Sequence, residues 1–135
     1  MTPHELIDLH ARAFAACDWQ AVAPYWHPEA ELVSPGGIWP ARAMATIMAD
    51  LDNSYADIQI DVGTVFGSAD GRHIALEWTY ASTRRSDGAR SSTPDAIIVE
   101  LRDGLIMSWR EYFDLSSSVE HGQTPAAEEF RVERR

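Results

Sequence analysis

The period of apolar residues changes at Tyr55, and that change limits the folds open to this chain more than any other feature. Up to there hydrophobic residues recur every three or four positions; from there they recur every two. A spacing of three to four places apolar side chains along one stripe of a helix, and a spacing of two places them on one face of a strand. Ile58, Ile60 and Val62 alternate with Gln59, Asp61 and Gly63, and this strand closes near Ser68, before the turn Ala69-Asp70-Gly71. Three further strands are predicted at about 73–83, 93–102 and 105–114, separated by Asp87-Gly88 and Asp103-Gly104. Asp-Gly supplies the positive φ that tight hairpins demand, so the four strands should form an antiparallel meander.

The first half supplies the helices. Thr2, Pro3 and Glu5 form a helix start, with Thr2 as cap, Pro3 in the first turn and Glu5 three residues after the cap. Leu6, Ile7, Leu9, Ala13, Phe14 and Cys17 form its apolar stripe, which ends near Asp18. Asp18 should cap a second, shorter helix through Trp19, Val22 and Tyr25, and His27-Pro28 should break it. A short strand comes next over 30–34 and stops at Pro35-Gly36-Gly37. Pro40 then opens a third helix that carries Ala43, Met44, Ile47, Met48 and Leu51 to about residue 51. Helices first and a sheet after them is an α+β layout, with the helices covering one face of the sheet.

A chain of 135 residues fits one domain. We place it at 1–120, with 121–135 as a polar C-terminal tail whose apolar residues are Phe130 and Val132. The net charge of −10 repels polyanions and anionic lipid surfaces, which argues against nucleic acid as a partner. Cys17 is the sole cysteine, so no intrachain disulfide forms. The start M-T-P-H-E-L-I-D lacks the basic flank and apolar run of a signal peptide, and no window approaches the roughly 18 consecutive apolar residues of a membrane helix. A cytoplasmic protein with no membrane partner is the expectation. His4, His10, His27, His73 and His121 show no ligand spacing, and no nucleotide-binding glycine loop appears, so neither a metal nor a cofactor is expected.

Chemistry concentrates in W-R-E-Y-F-D-L, residues 109–115. With Asp103-Gly104 as a two-residue turn, Arg102 pairs with Leu105, Leu101 with Ile106, Ile98 with Trp109 and Ala96 with Glu111. One face then carries Met107, Trp109, Glu111 and Phe113 beside Ala96 and Ile98. The other carries Ile106, Ser108, Arg110, Tyr112 and Asp114 beside Asp95, Ile97 and Val99. Glu111 is the acid with apolar neighbours. Such a carboxyl is costly to ionise, which raises its pKa and suits it to general acid or base work near neutral pH. The competing reading is a strand-edge glutamate that reaches water or pairs with an arginine. His10 lies on the apolar stripe of the first helix and reads as a core histidine within reach of a cavity.

The order helix, short helix, H-P-E-A strand, helix and meander, closed by D-G-L-I-M-S-W-R-E-Y-F-D-L, resembles the NTF2-like (cystatin-like) superfamily over roughly residues 3 to 120. The SnoaL-like polyketide cyclase and limonene epoxide hydrolase branches are the nearest in pattern, since their last strand commonly ends in a W-R-D-Y-F-D-like run. The resemblance implies a cone-shaped barrel, in which a curved, mainly antiparallel sheet wraps around three N-terminal helices and homodimerises through its outer face. In the epoxide hydrolases the first acid of that run activates water in a deep pocket, and Glu111 holds its place. Two departures count against that reaction. The strand bearing their Arg-x-Asp pair reads Leu76-Glu77-Trp78-Thr79-Tyr80 here, and the first strand offers only Ser34 where they hold water with a Tyr and an Asn.

The resemblance thus implies a pocket with one catalytic acid, Glu111, and an aromatic wall. Trp109, Phe113 and Trp39 are candidate lining residues, together with one of Trp78 and Tyr80, which are expected to take opposite faces. Ser34 and, at the rim, His27 complete the set, and Tyr80 or Tyr25 is a candidate donor to an enolate oxygen. An apolar pocket with few polar groups suits a small apolar cyclic ligand, and a single acid of raised pKa suits isomerase, cyclase or dehydratase chemistry without a cofactor. The alternative is a ligand-binding or dimeric assembly module that catalyses nothing.

Overall fold

The computed structural model describes residues 1–115, 129, 130 and 132. Helix α1 spans Pro3–Ala15, and its start is built as the sequence predicts. The Thr2 hydroxyl accepts from the Glu5 amide at 3.1 Å while the Glu5 carboxylate accepts from the Thr2 amide at 3.2 Å, so two otherwise unpaired amides are satisfied reciprocally. Asp18 does act as a cap, accepting from the Ala21 amide at 3.3 Å, but the segment it opens is two 3₁₀ turns, Trp19–Ala21 and Ala23–Tyr25. Pro24 accounts for the difference, because its ring removes one amide donor and clashes with the preceding turn of an α-helix.

Strand β1 runs Trp26–Ser34 and therefore contains His27-Pro28, which the sequence reading placed at a break. Strand β2, Gly37–Pro40, turns back on it with Ser34 opposite Gly37 and Leu32 opposite Trp39. Pro35-Gly36 is thus a hairpin turn leading into a return strand that the sequence reading lacks. A 3₁₀ turn over Ala41–Ala43 leads into α2, Met44–Ser54, which starts and ends later than the 40–51 expected. The three expected helices are thus two α-helices and short 3₁₀ turns.

The meander forms as predicted: β3 Tyr55–Gly67, β4 His73–Arg84, β5 Arg90–Arg102 and β6 Leu105–Tyr112. Sheet order is β2-β1-β6-β5-β4-β3, with β1 and β6 parallel and every other pair antiparallel. The architecture is α+β with a curved, unclosed mixed sheet, and among the described residues β2 and β3 are its two edges. α1 lies along β3, and the approach is close at Gly67, where a Cβ would stand 2.9 Å from Pro3 Cγ. Beyond β6, Phe130 packs against the core, and the Val132 amide donates to the Ile38 carbonyl at 2.6 Å, adding a bridge to the β2 edge. The remainder of the expected tail, and the boundary at 120, lie outside the described residues.

The β5–β6 register departs from expectation. Arg102 pairs with Leu105 and Leu101 with Ile106, but Glu100 pairs with Ser108, so Met107 is an extra residue on β6. Past this bulge Val99 faces Trp109, Ile97 faces Glu111 and Ala96 faces Tyr112. The β6 residues from Trp109 onward keep the inward face predicted for them, while the β5 assignment inverts. Asp95, Ile97 and Val99 point into the core, Ala96 and Ile98 point out, and Ile106 is fully buried. One inserted residue shifts the phase of the alternation, so strand spacing counted from the turn goes wrong after it.

Candidate functional site

The inner face of the sheet and the two helices enclose a cavity of about 80 Å³. α1 contributes Phe14, and β1 and β2 contribute Leu32, Ser34 and Trp39. The stripe of α2 supplies Met44, Ile47, Met48 and Leu51. Trp78 and Tyr80 come from β4, with Glu111 and Phe113 from the end of the β6 segment. Trp78 and Tyr80 both line it, contrary to expectation. They stand two apart in one strand, and the pleat returns every second side chain to the same face. The α2 stripe and Phe14 were legible only as core positions, because periodicity reports a buried face and not whether that face meets a cavity.

Two expected lining residues are elsewhere. Trp109 is 0% exposed and sits behind the cavity in an aromatic cluster, stacked on His10 with centroids 5.1 Å apart and on Trp26 at 5.7 Å. His27 is half-buried on β1, away from the cavity, with Nδ1 accepting from the Glu29 amide at 3.0 Å. Tyr25 meets His10 edge-on at 6.5 Å and does not line the cavity. Ser34 lines it and accepts from the Gly36 amide at 3.2 Å, which also holds the turn between β1 and β2.

Glu111 is buried, with Oε1 accepting from the Trp109 indole N–H at 3.0 Å. Burial drives its pKa well above the ordinary carboxylate range and the charge of Asp95 adds to the rise, while the Trp109 hydrogen bond opposes it. Asp95 is the functional candidate that the sequence reading missed, since the bulge alone brings it inside. It is 3% exposed, and Oδ2 accepts from the Trp78 indole N–H at 3.2 Å. Burial raises its pKa to about 7, against the opposing hydrogen bonds of Trp78 and the Tyr112 amide. Burial likewise raises the Tyr80 phenol, with smaller contributions from Cys17, Glu111 and Tyr55. Among the described residues no group of three or more His, Cys, Asp or Glu is placed to hold a metal ion.

His10 is the contrasting case. Nδ1 lies 2.7 Å from the Leu6 carbonyl and Nε2 lies 2.9 Å from the Trp26 indole nitrogen. An indole N–H only donates, so Nε2 must accept and the ring is the neutral Nδ1–H tautomer. Burial lowers its pKa to about 4, opposed by the Leu6 carbonyl. Both nitrogens are engaged within the core, which leaves none for a ligand.

Residues 7–109 match the SnoaL-like domain. The chain belongs to the SnoaL-like family. Its NTF2-like fold recurs in solved structures. A provisionally named polyketide cyclase from Pseudomonas putida KT2440 superposes with a TM-score of 0.77 at 23% identity, covering 89% of this chain and 97% of its own. A protein of ketosteroid isomerase-like fold from Catenulispora acidiphila DSM 44928, in complex with trimethylamine, gives 0.75 at 18% identity, with coverage of 93% and 97%. An LEH-like epoxide hydrolase from M. tuberculosis gives 0.69 at 20% identity, with coverage of 84% and 83%. At such identities the likeness carries the fold and no activity. No curated protein matches this SnoaL-like chain.

Proposed function

We propose that this SnoaL-like protein is a small-molecule enzyme that works without a cofactor, with Glu111 as the acid/base that moves a proton on an apolar cyclic substrate. The observation that carries this reading is a buried carboxyl at a cavity whose other described walls are aromatic and aliphatic apart from Ser34, with no arginine among the described lining residues. A neutral Glu111 can protonate a carbonyl oxygen or an enol carbon; once ionised in this setting it is a strong base toward an acidic C–H. That suits isomerase, cyclase or dehydratase steps beside a carbonyl. Epoxide hydrolysis is less favoured, because the β4 segment offers Trp78 and Tyr80 in place of an Arg-x-Asp pair.

The size of the cavity limits the ligand. Drug-sized pockets run roughly 300 to 1,000 Å³, so about 80 Å³ admits a small molecule and excludes a polycycle unless the walls move. Met44 and Met48 are the adaptable part of the wall, being unbranched and polarizable. The same small volume supports a second reading, a module that binds a small ligand and does not turn it over. Trimethylamine in the Catenulispora relative is of that scale. A homodimer through the outer sheet face accompanies either reading. Phe66, Ile98 and Tyr112 are 67%, 37% and 52% exposed there, and Phe66 and Ile98 flank Ala75 in one row. Sedimentation velocity of wild type and Phe66→Ser tests the dimer.

Deuterium uptake at the α-carbon of small cyclic ketones in D₂O, followed by proton NMR, tests the function. Exchange by wild type and none by Glu111→Gln is the expected result. Ketones that bind both proteins but exchange in neither would establish the binding module.

A further inference from the structure

The inner face of the sheet holds two acids, each tied to an indole. Trp78 on β4 stands directly opposite Asp95 on β5 and donates to it; Trp109 on β6 donates to Glu111, two residues along its own strand. The two indoles are themselves in ring contact, with centroids 5.7 Å apart. The chain of contacts therefore runs from Asp95 through Trp78 and Trp109 to Glu111. Ile97 is the partner of Glu111 across β5 and β6, which makes Asp95 its diagonal neighbour on the same face, a separation of roughly 7–8 Å between backbones.

Burying one carboxyl without a cation is costly, and burying two within reach of each other is costlier. Among the described residues, no cation on the elements around the pair offsets that. α2 presents Met44, Ile47, Met48 and Leu51, and β1 presents Leu32 and Ser34. The titratable groups facing the pair are Tyr80 on β4, with Tyr55 and Cys17 beyond it, and His10 on α1 behind Trp109, whose nitrogens are both engaged. Arg110, the nearest cation along β6, points out of the opposite face and pairs with Glu100 at 3.3 Å. Asp95 Oδ1 is fully buried and has no hydrogen-bond partner among the described residues.

The pair is unequal. Among the described residues each acid takes one indole N–H, but the Tyr112 backbone also favours the charged form of Asp95, whereas the charge of Asp95 opposes ionisation of Glu111. Asp95 does not line the cavity and Glu111 does. We propose that Asp95 is a positioning residue of this site, a second acid that takes the negative charge of the pair behind Trp78 and so keeps the proton on Glu111, where it faces the ligand. This rests on Glu111 being the acid of the site. The proton that Glu111 delivers leaves the electron pair on its own carboxylate, and the like charge of Asp95 opposes that state until Glu111 recovers a proton from product or solvent. The substrate class is set by this: a neutral molecule whose hydrogen-bond acceptor, a carbonyl or ether oxygen, meets a protonated acid at neutral pH.

Carbon-13 titration of the side-chain carboxyls tests this in wild type, Asp95→Asn and Glu111→Gln, with near-UV circular dichroism to show that the core is packed. The asparagine is isosteric and keeps an acceptor for Trp78. The expected result is asymmetric. Asp95→Asn lowers the Glu111 midpoint by a unit or more, a tenfold loss of proton affinity, whereas Glu111→Gln leaves the Asp95 midpoint in place because its neighbour is already neutral there. A high Glu111 midpoint that does not move in Asp95→Asn overturns the role of Asp95 and leaves Glu111 as the acid. A wild-type Glu111 midpoint near the ordinary ~4.3 overturns both. Should Asp95→Asn fail to fold, Trp78→Phe carries the test: losing its indole donor must raise the Asp95 midpoint, and an unchanged midpoint overturns the proposal.

Discussion

Trp109 separates two buried ionisable groups that the same core treats in opposite ways. On one side His10 stacks on the ring at 5.1 Å with both its nitrogens hydrogen-bonded; on the other, Glu111 takes the ring N–H and turns toward a cavity. Burial pushes both toward their neutral forms. Burial therefore does not separate a core residue from a candidate site residue. What separates them is whether the hydrogen-bonding capacity is used up inside the protein, as it is for His10, or left facing space that a ligand can enter.

The change that breaks the comparison most completely is Trp109→Ala, which removes the shared wall. Truncating a fully buried tryptophan costs about 3–5 kcal/mol, read as a lower urea midpoint, and the Glu111 midpoint should rise further because its indole donor is gone. Next in size is the pH dependence of Asp95→Asn. Asp95 binds its proton up to about pH 7 in the folded state and only to ~3.9 when unfolded. The folded state thus holds more protons in that window, and wild-type stability falls as pH rises from about 4 to about 7. Denaturation curves across that range should lose this slope in Asp95→Asn, which becomes the more stable protein above neutrality.

His10 carries the opposite sign. Its folded pKa of about 4 lies below the unfolded ~6.5, so the folded state holds fewer protons between them and its contribution weakens as pH falls through that window. His10→Leu strands the buried Trp26 N–H, a loss of about 1–3 kcal/mol at pH 7, and the gap to wild type should narrow toward pH 4. A gap that stays constant with pH would mean that His10 is not held neutral. The smallest effect is expected on the outer face. The Arg110–Glu100 pair is partly exposed, so Arg110→Gln should change stability by less than about 1 kcal/mol, with no effect on the Glu111 titration.

Local rules made most of the fold legible. The Thr2 capping box, the α1 and α2 stripes and the Asp-Gly turns each state a backbone preference within a few residues, and those elements form. Pro24 also stands in the sequence, and it splits the helix expected after Asp18 into two 3₁₀ turns. The site was less legible, because it depends on the phase between strands. Glu111 could be found because its own strand alternates cleanly from Trp109 onward, but Asp95 could not, since Met107 has no composition that marks it as a bulge. Strand β2 was missed for a related reason. Four residues including a proline make a weak pattern, and it is their pairing with β1 that holds them.

The extra residue at Met107 has a consequence for how such sites diversify. With matched strand lengths, Ala96 would face Glu111, and Asp95 would lie on the opposite side of the sheet from it. A protein of this lineage one residue shorter in the hairpin would thus enclose one acid or the other, with every chemical side chain unaltered. Gain or loss of a single codon, and no substitution at all, is enough to convert a one-acid interior into a two-acid one.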